Sequence, residues 1–337
     1  MNEKELRKTI GKRALQRRKE LKLSQKYIAE KLGVDTSTVL RYERGASDNT
    51  KFYILEGLSW TFPERSKTMD GITRVPTLNM TGMALSLLVS LAAVIAVFVY
   101  GRKKLHAPVA SFFVGVGTFV LFALVLESLL HNLIYPTPVG QKIWGNTWLY
   151  ALYGGAAAAL FEETGRIFAA KTFLRRRNDP VNAYMYGAGH GGVEALTVGV
   201  VTQISNLALA ATINAGKAAD LLSPLSGAQY DSALEQLRTL TGPSSLFFLA
   251  GYERVLALLL HICLSLILFR GLREKRPGMV VLCYVLHFAL DAILVLINRS
   301  FGIIPAEAFC TVFVLLVVLL TMKLAPLPPR EKEAVEP

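Results

Sequence analysis

Ionisable side chains recur in this chain inside stretches that are otherwise apolar, and their spacing is regular. Glu162-Glu163-Thr164-Gly165-Arg166 puts a guanidinium one helical turn from two carboxylates, close enough to neutralise one and leave the other to work. His190 and Glu194 form an i,i+4 pair, as do His287 and Asp291. Glu253 and His261 stand eight apart, which predicts a shared helix face. Four of the five histidines, all but His106, lie in such stretches. Glu127 and His131 make one more i,i+4 pair, read as structural support. Neutral imidazole with neighbouring carboxylate is a donor set suited to a divalent metal, zinc first among them. Water activated by such a metal, or by a carboxylate, can attack a peptide carbonyl with a Glu as general base. The soluble HExxH spacing is absent. The same residues could instead lock helices together, or relay protons in a transporter.

The elements that must position these groups follow from composition. Of 337 residues 52% are hydrophobic and 18% charged, against about 25% charged in an ordinary soluble domain. The net charge is nevertheless +12, of which residues 1–79 carry 17 Lys+Arg and 10 Asp+Glu. A single soluble enzyme and a disordered tail are excluded. So is a disulfide-stapled secreted domain, because Cys263, Cys283 and Cys310 all sit in apolar runs. The polar first eighty residues read as no cleavable leader. A spanning helix needs roughly 20 apolar residues, and seven stretches qualify: about 82–100, 107–133, 147–170, 183–211, 246–270, 278–297 and 303–322. The expected fold is all-α, a polytopic transmembrane helix bundle with a small N-terminal helix-turn-helix domain. A charge at mid-membrane costs at least ~2.5 kcal/mol, so such residues face a protein interior and serve function. Glycines 187, 189, 191 and 192 lie within a span and predict close helix approach. Residues 214–245 read as one long loop with some helix.

The head is legible separately. LSQKYIAEKLGVDTSTVLRYERG (residues 23–45) resembles the Cro/repressor type of helix-turn-helix. Ser24 can cap a helix starting at Gln25, Ala29 is small at the crossing, Gly33 supplies the turn, and Asp35 or Thr36 caps the second helix. That helix would present Thr36, Ser37, Thr38 and Arg41 to DNA bases. Gln25 would touch a phosphate by the same resemblance. Lys12, Arg13, Arg17, Arg18 and Lys19 add sequence-independent attraction to the backbone. After Gly45 the match lapses, with an extra helix expected at Phe52–Leu58. A basic helical domain serving only a protein partner is the competing reading.

Taken together, EExxR, HxxxE within GAGHGGVEA, ER…H and HxxxD resemble the YhfC family of intramembrane metalloproteases over about residues 80–325. That family is similar to the CAAX-prenyl endopeptidases and to PrsW. The resemblance implies Glu162 as catalytic base, with Glu163 and Arg166 holding its geometry. It implies that His190 positions water or metal, and that His287 with Asp291 ligates metal or stabilises the oxyanion. Glu194 and His261 become further metal ligands, with His190 and His287. CAAX proteases show EExxxR and HxxxN where this chain has EExxR and HxxxD, so prenyl specificity is not carried over. The scaffold subunit of γ-secretase, which resembles this superfamily, keeps histidines without being the protease. A non-catalytic membrane-tethered regulator is therefore the rival reading, beside the transporter.

The expected organisation is 1–60 helix-turn-helix, 61–79 linker, 80–325 membrane bundle and 326–337 mobile tail. The expected location is the cell (inner) membrane, and the expected partners are a peptide or membrane-protein substrate and DNA. Sidedness conflicts. Of the 20 Lys/Arg after residue 79, 14 cluster at 102–104, 171–177, 270–276 and 323–332. The positive-inside rule makes that side cytoplasmic and puts the head outside, whereas a DNA-binding head must be cytoplasmic. One span is re-entrant, the bundle is inverted, or translation of the natural membrane protein begins near Met69 or Met80.

Overall fold

A computed structural model describes residues 12, 15–16, 18–19, 23–32, 34–44, 72, 74–225 and 227–328. Arg13, Arg17, Gly33, the expected helix at Phe52–Leu58, most of the expected linker and the tail beyond residue 328 lie outside these. The chain divides into two units, Met1–Thr73 with Ala218–Ser223 and Arg74–Lys217 with Pro224–Pro337.

In the first unit, α1 (Gln25–Leu32) and α2 (Thr36–Glu43) form a helix pair. Ser24 Oγ accepts from Tyr27 N at 3.0 Å and Asp35 Oδ1 from Thr38 N at 2.9 Å, so both expected caps are present. Ala29 and Val39 are buried between the two helices.

The second unit is a helix bundle. Its long helices are α3 (Thr77–Lys103), α4 (Val109–Ile134), α5 (Thr147–Lys171), α6 (Pro180–Asn214), α7 (Ser245–Arg273), α8 (Pro277–Phe301) and α9 (Ile303–Leu324). Six of these seven are long and apolar enough to cross a membrane. The exception is α5, which spans 25 residues but carries Glu162, Glu163 and Arg166. Its deficit of apolarity is therefore the site itself. The protein is a multi-pass membrane protein. Between α6 and α7, helices Ala218–Leu222 and Gly227–Leu240 fill part of the expected loop.

Helix α7 is the axis: 72% of its most apolar stretch is buried, against 22–28% for the other five apolar helices. Around it α6 packs on α4 and α7, α5 on α8, and α9 on α7 and α8. Close crossings need missing side chains. A Cβ on Gly187 would stand 2.7 Å from Ile262 Cα, and one on Gly191 2.8 Å from His261 Cβ, both on α7. Gly189 meets the Phe112 backbone on α4, and Gly155 of α5 meets the Phe288 carbonyl on α8. The three cysteines are free and buried. Gly302, at φ 87°, makes the reversal between α8 and α9 that a Cβ would disfavour.

Candidate functional site

Four helices deliver the charged residues, and local signals set each one. Asn146 caps α5 through Leu149 N at 3.0 Å. Asp179 caps α6 through Val181 N and Asn182 N, with Pro180 in the first turn. Directly after Glu194, helix α6 widens into a π-helical segment, Ala195–Val201. Such insertions change which residues face a neighbour and are frequent at functional sites.

Glu162 is the centre. Its Oε2 accepts from His190 Nε2 at 2.9 Å, stands 3.7 Å from His261 Nδ1 and lies 3.9 Å from an Arg166 nitrogen. Its other oxygen, Oε1, faces His287 Nε2 at 3.9 Å. Three imidazoles from three helices thus converge on one carboxylate. The rings of His190 and His261 are 5.1 Å apart, and those of His261 and His287 5.7 Å. All three histidines, Glu162, Glu163 and Arg166 are buried.

Glu163 organises the other side. Its Oε1 accepts from Arg166 and, at 2.7 Å, from His287 Nδ1. His287 Nε2 then lies 3.5 Å from Asp291, whose side chain is 33% exposed and so is the member of the group nearest to open surface. Arg166 also donates to His261 Nδ1. Around His190, Phe119 presents a ring edge at 5.1 Å and the Tyr186 hydroxyl lies 3.4 Å from Nδ1.

Most of the expected residues meet: Glu162, Glu163, Arg166, His190, His261, His287 and Asp291 form one connected group. Glu194 joins through its Oε2, 2.5 Å from His261 Nε2. Glu253, expected to share a face with His261, pairs instead with Arg254. Eight residues turn a helix by about 800°, some 80° past two full turns, so the two side chains diverge. Arg254 had no assigned role in the sequence reading. A lone Arg within an apolar run was the available signal. Glu127 and His131 stand 3.3 Å apart, with His131 Nδ1 2.8 Å from the Tyr153 hydroxyl, tying α4 to α5 as expected of a supporting pair.

The donor chemistry fits a divalent metal. Ligand atoms of Glu162, His190 and His261 all lie within 4.8 Å of one another. The spacing suits zinc, whose 2.0–2.2 Å bonds put neighbouring donors roughly 3.4 Å apart, so a modest contraction suffices. Charge points the same way. In this linked group five carboxylates, Glu162, Glu163, Glu194, Glu253 and Asp291, meet two guanidiniums, Arg166 and Arg254, and three imidazoles, an interior in which a bound cation would find counter-charge. Glu163 Oε2 and Arg166 Nε are buried without a hydrogen-bond partner. Arg166 occupies the very nitrogen of His261 that would face the ion, so binding requires it to withdraw toward Glu163.

In the head, Thr36, Ser37 and Arg41 are exposed on α2. Thr38 is buried and donates to Asp35 Oδ2 at 2.9 Å, so its hydroxyl is spent on the helix cap. Gln25 donates to Glu43 at 2.8 Å, and Arg18 pairs with the same carboxylate.

A family model described as YhfC intramembrane metalloprotease matches residues 85–314, and a helix-turn-helix model matches residues 15–58. The uncharacterized membrane protein YhfC of Bacillus subtilis (strain 168) is 31% identical over 244 residues, which cover 71% of this chain and 92% of that protein. No solved structure matches.

Proposed function

The chain belongs to the YhfC intramembrane metalloprotease family, and from that premise we propose that it hydrolyses a peptide bond in or near the membrane. The observation that carries this reading is the convergence of His190, His261 and His287 on Glu162 inside the bundle. His190 and His261 would hold a divalent metal, zinc by donor type. When bound, such an ion lowers the pKa of a coordinated water toward 7. Glu162 takes the water's proton at the carboxylate oxygen turned toward the imidazoles. Glu163 and Arg166 keep that carboxylate from swinging away. His287 is held at Nδ1 by Glu163, so its Nε2 is aimed where Asp291 opens to the surface. There, as the doubly protonated imidazolium, it donates to a carbonyl oxygen as negative charge develops. The surrounding apolar helices exclude bulk water, which strengthens each of these interactions.

The boundaries proposed are 1–60 for the head, 61–79 for the linker, 80–325 for the bundle and 326–337 for the tail. We propose further that the head binds DNA through the exposed Thr36, Ser37 and Arg41, making the protein a membrane-tethered regulator. Gln25 and Thr38 contribute by holding the helix pair rather than by reaching bases. A reporter active only in the cytoplasm, fused after residue 79, tests this. No signal would exclude DNA binding.

The central test uses the purified full chain and membranes that contain it. Zinc should be stoichiometric, and membrane proteomes from wild-type and His190→Ala strains should differ in cleaved products. Glu162→Gln should abolish that cleavage while leaving the fold and most of the metal in place. Loss of metal instead would make Glu162 a ligand. Full cleavage by both Glu162→Gln and His190→Ala would reject the peptidase and leave the regulator or transporter.

A further inference from the structure

Arg254 sits in an apolar run of α7 and is shared between two carboxylates. One guanidinium nitrogen donates to Glu194 Oε1 at 2.6 Å and the other to Glu253. Glu194 Oε2 in turn lies 2.5 Å from His261 Nε2. On the opposite edge of that ring, Nδ1 accepts from Arg166 and faces Glu162 Oε2. Arg166 demands one tautomer. A guanidinium only donates, so Nδ1 is bare and a neutral ring carries its hydrogen on Nε2, 2.5 Å from Glu194 Oε2. The bare nitrogen is the one that faces Glu162 and His190.

We propose that Arg254 is a positioning residue that acts through Glu194 to fix the Nε2 edge of the His261 ring, so that the bare Nδ1 stays turned to the Glu162–His190 cluster. Its purpose rests on the metal-peptidase reading; its geometry does not. A carboxylate that accepts from the far nitrogen of a ligating histidine fixes both ring orientation and tautomer. Here the carboxylate itself needs fixing, because it projects from α6 where the regular helix gives way to the π segment. A forked guanidinium can hold Glu194 and Glu253 together, which a single ammonium cannot do with the same geometry.

The fold makes room for this arrangement. Gly199, inside the π segment, would place a Cβ 3.0 Å from Arg254 Cγ and would overlap Ser90 Oγ. A side chain there collides first with Ser90 of α3 and then with the arginine stem beside Glu194.

The competing role is a plain lock between α6 and α7, and the test separates the two. The full chain is prepared with 15N-labelled histidine rings and read by NMR, with His261 assigned by its loss in His261→Gln. Zinc affinity is measured alongside by competition with a chelator. The wild type should show His261 with a protonated Nε2 and a bare Nδ1. In Arg254→Gln Glu194 loses its fixed partner, so the Nε2 hydrogen exchanges faster with water while Arg166 still keeps Nδ1 bare, and zinc binds about 10–100-fold more weakly. Arg254→Lys should recover part of both. Gly199→Ala should reproduce the defect, and it serves if Arg254→Gln fails to fold. A folded Arg254→Gln or Gly199→Ala that keeps the wild-type Nε2–H exchange rate and zinc affinity, with only a lower melting temperature, would overturn the proposal in favour of the lock. A wild type that binds no zinc, yet shows an Arg254-dependent Nε2–H exchange rate, would refute the metal reading and support this one.

Discussion

Gly191→Ala should weaken metal binding without altering a single donor. The substitution acts at the α6–α7 crossing, one residue from His190 and directly against His261. The added Cβ would stand 2.8 Å from His261 Cβ and 3.2 Å from Leu258 Cα. Carbon atoms rest at about 3.5–4.0 Å, so the crossing must open by about 1 Å. Overpacking of this kind costs roughly 1–3 kcal/mol. Opening the crossing relieves that strain, but drawing His190 and His261 onto one ion restores it, because metal bonds tolerate only about 0.2 Å. At 1.4 kcal/mol per decade, zinc affinity should fall about five- to 150-fold. Chelator competition on the detergent-purified chain measures this directly. Gly154→Ala on α5 is the control, since a Cβ there meets nothing within 4 Å. It should leave affinity unchanged and strengthen the helix by up to about 1 kcal/mol. Wild-type affinity in Gly191→Ala would refute the claim that this crossing sets the spacing of the two histidines.

Asn79 pins the start of α3 by donating to Leu240 O and Gly242 O, both at 2.9 Å, while accepting from Ser244 Oγ at 2.8 Å. Asn79→Leu strips these partners in a buried setting and should cost about 2–4 kcal/mol, visible as a lower thermal midpoint in detergent. In the head, hydrogen bonds from Ser37 and Thr38 hold the Asp35 carboxyl down at about 2, below the about 3.9 of an unfolded chain. Because the folded value is the lower one, its stabilisation is fully present above pH about 4 and is lost as pH falls toward 2. Asp35→Ala should therefore speed amide exchange at Thr38 at pH 6, and the difference from wild type should shrink as pH drops through that window. Arg41→Ala should cut affinity for a selected DNA site about five- to 150-fold if the arginine reads a base. Lys19→Ala should weaken all sequences alike and reduce the salt slope by about one. Fluorescence anisotropy across salt separates the two patterns.

Much of the protein is settled locally and can be read along the chain. Seven expected spans become seven long helices, six of them apolar enough to cross a membrane, since a span without water must satisfy its own backbone hydrogen bonds. Ser24 and Asp35 cap where their side chains can reach amides two or three residues on. The membrane-embedded charges point to the candidate site because desolvating them is costly. What the tertiary structure alone decided is partnership. His261 chooses Glu194 of α6, 67 positions upstream, over Glu253 of its own helix. Glu162, Glu163 and Arg166 are neighbours in sequence, yet Arg166 reaches across to His261 while Glu163 takes His287. Thr38 turns inward although its helix periodicity placed it outward. Those outcomes depend on how closely helices cross and how far each is rotated at the crossing. Glycines without side chains set the first, and the π segment after Glu194 alters the second. Neither is a property of any one stretch of residues; both follow from which surfaces are pressed together.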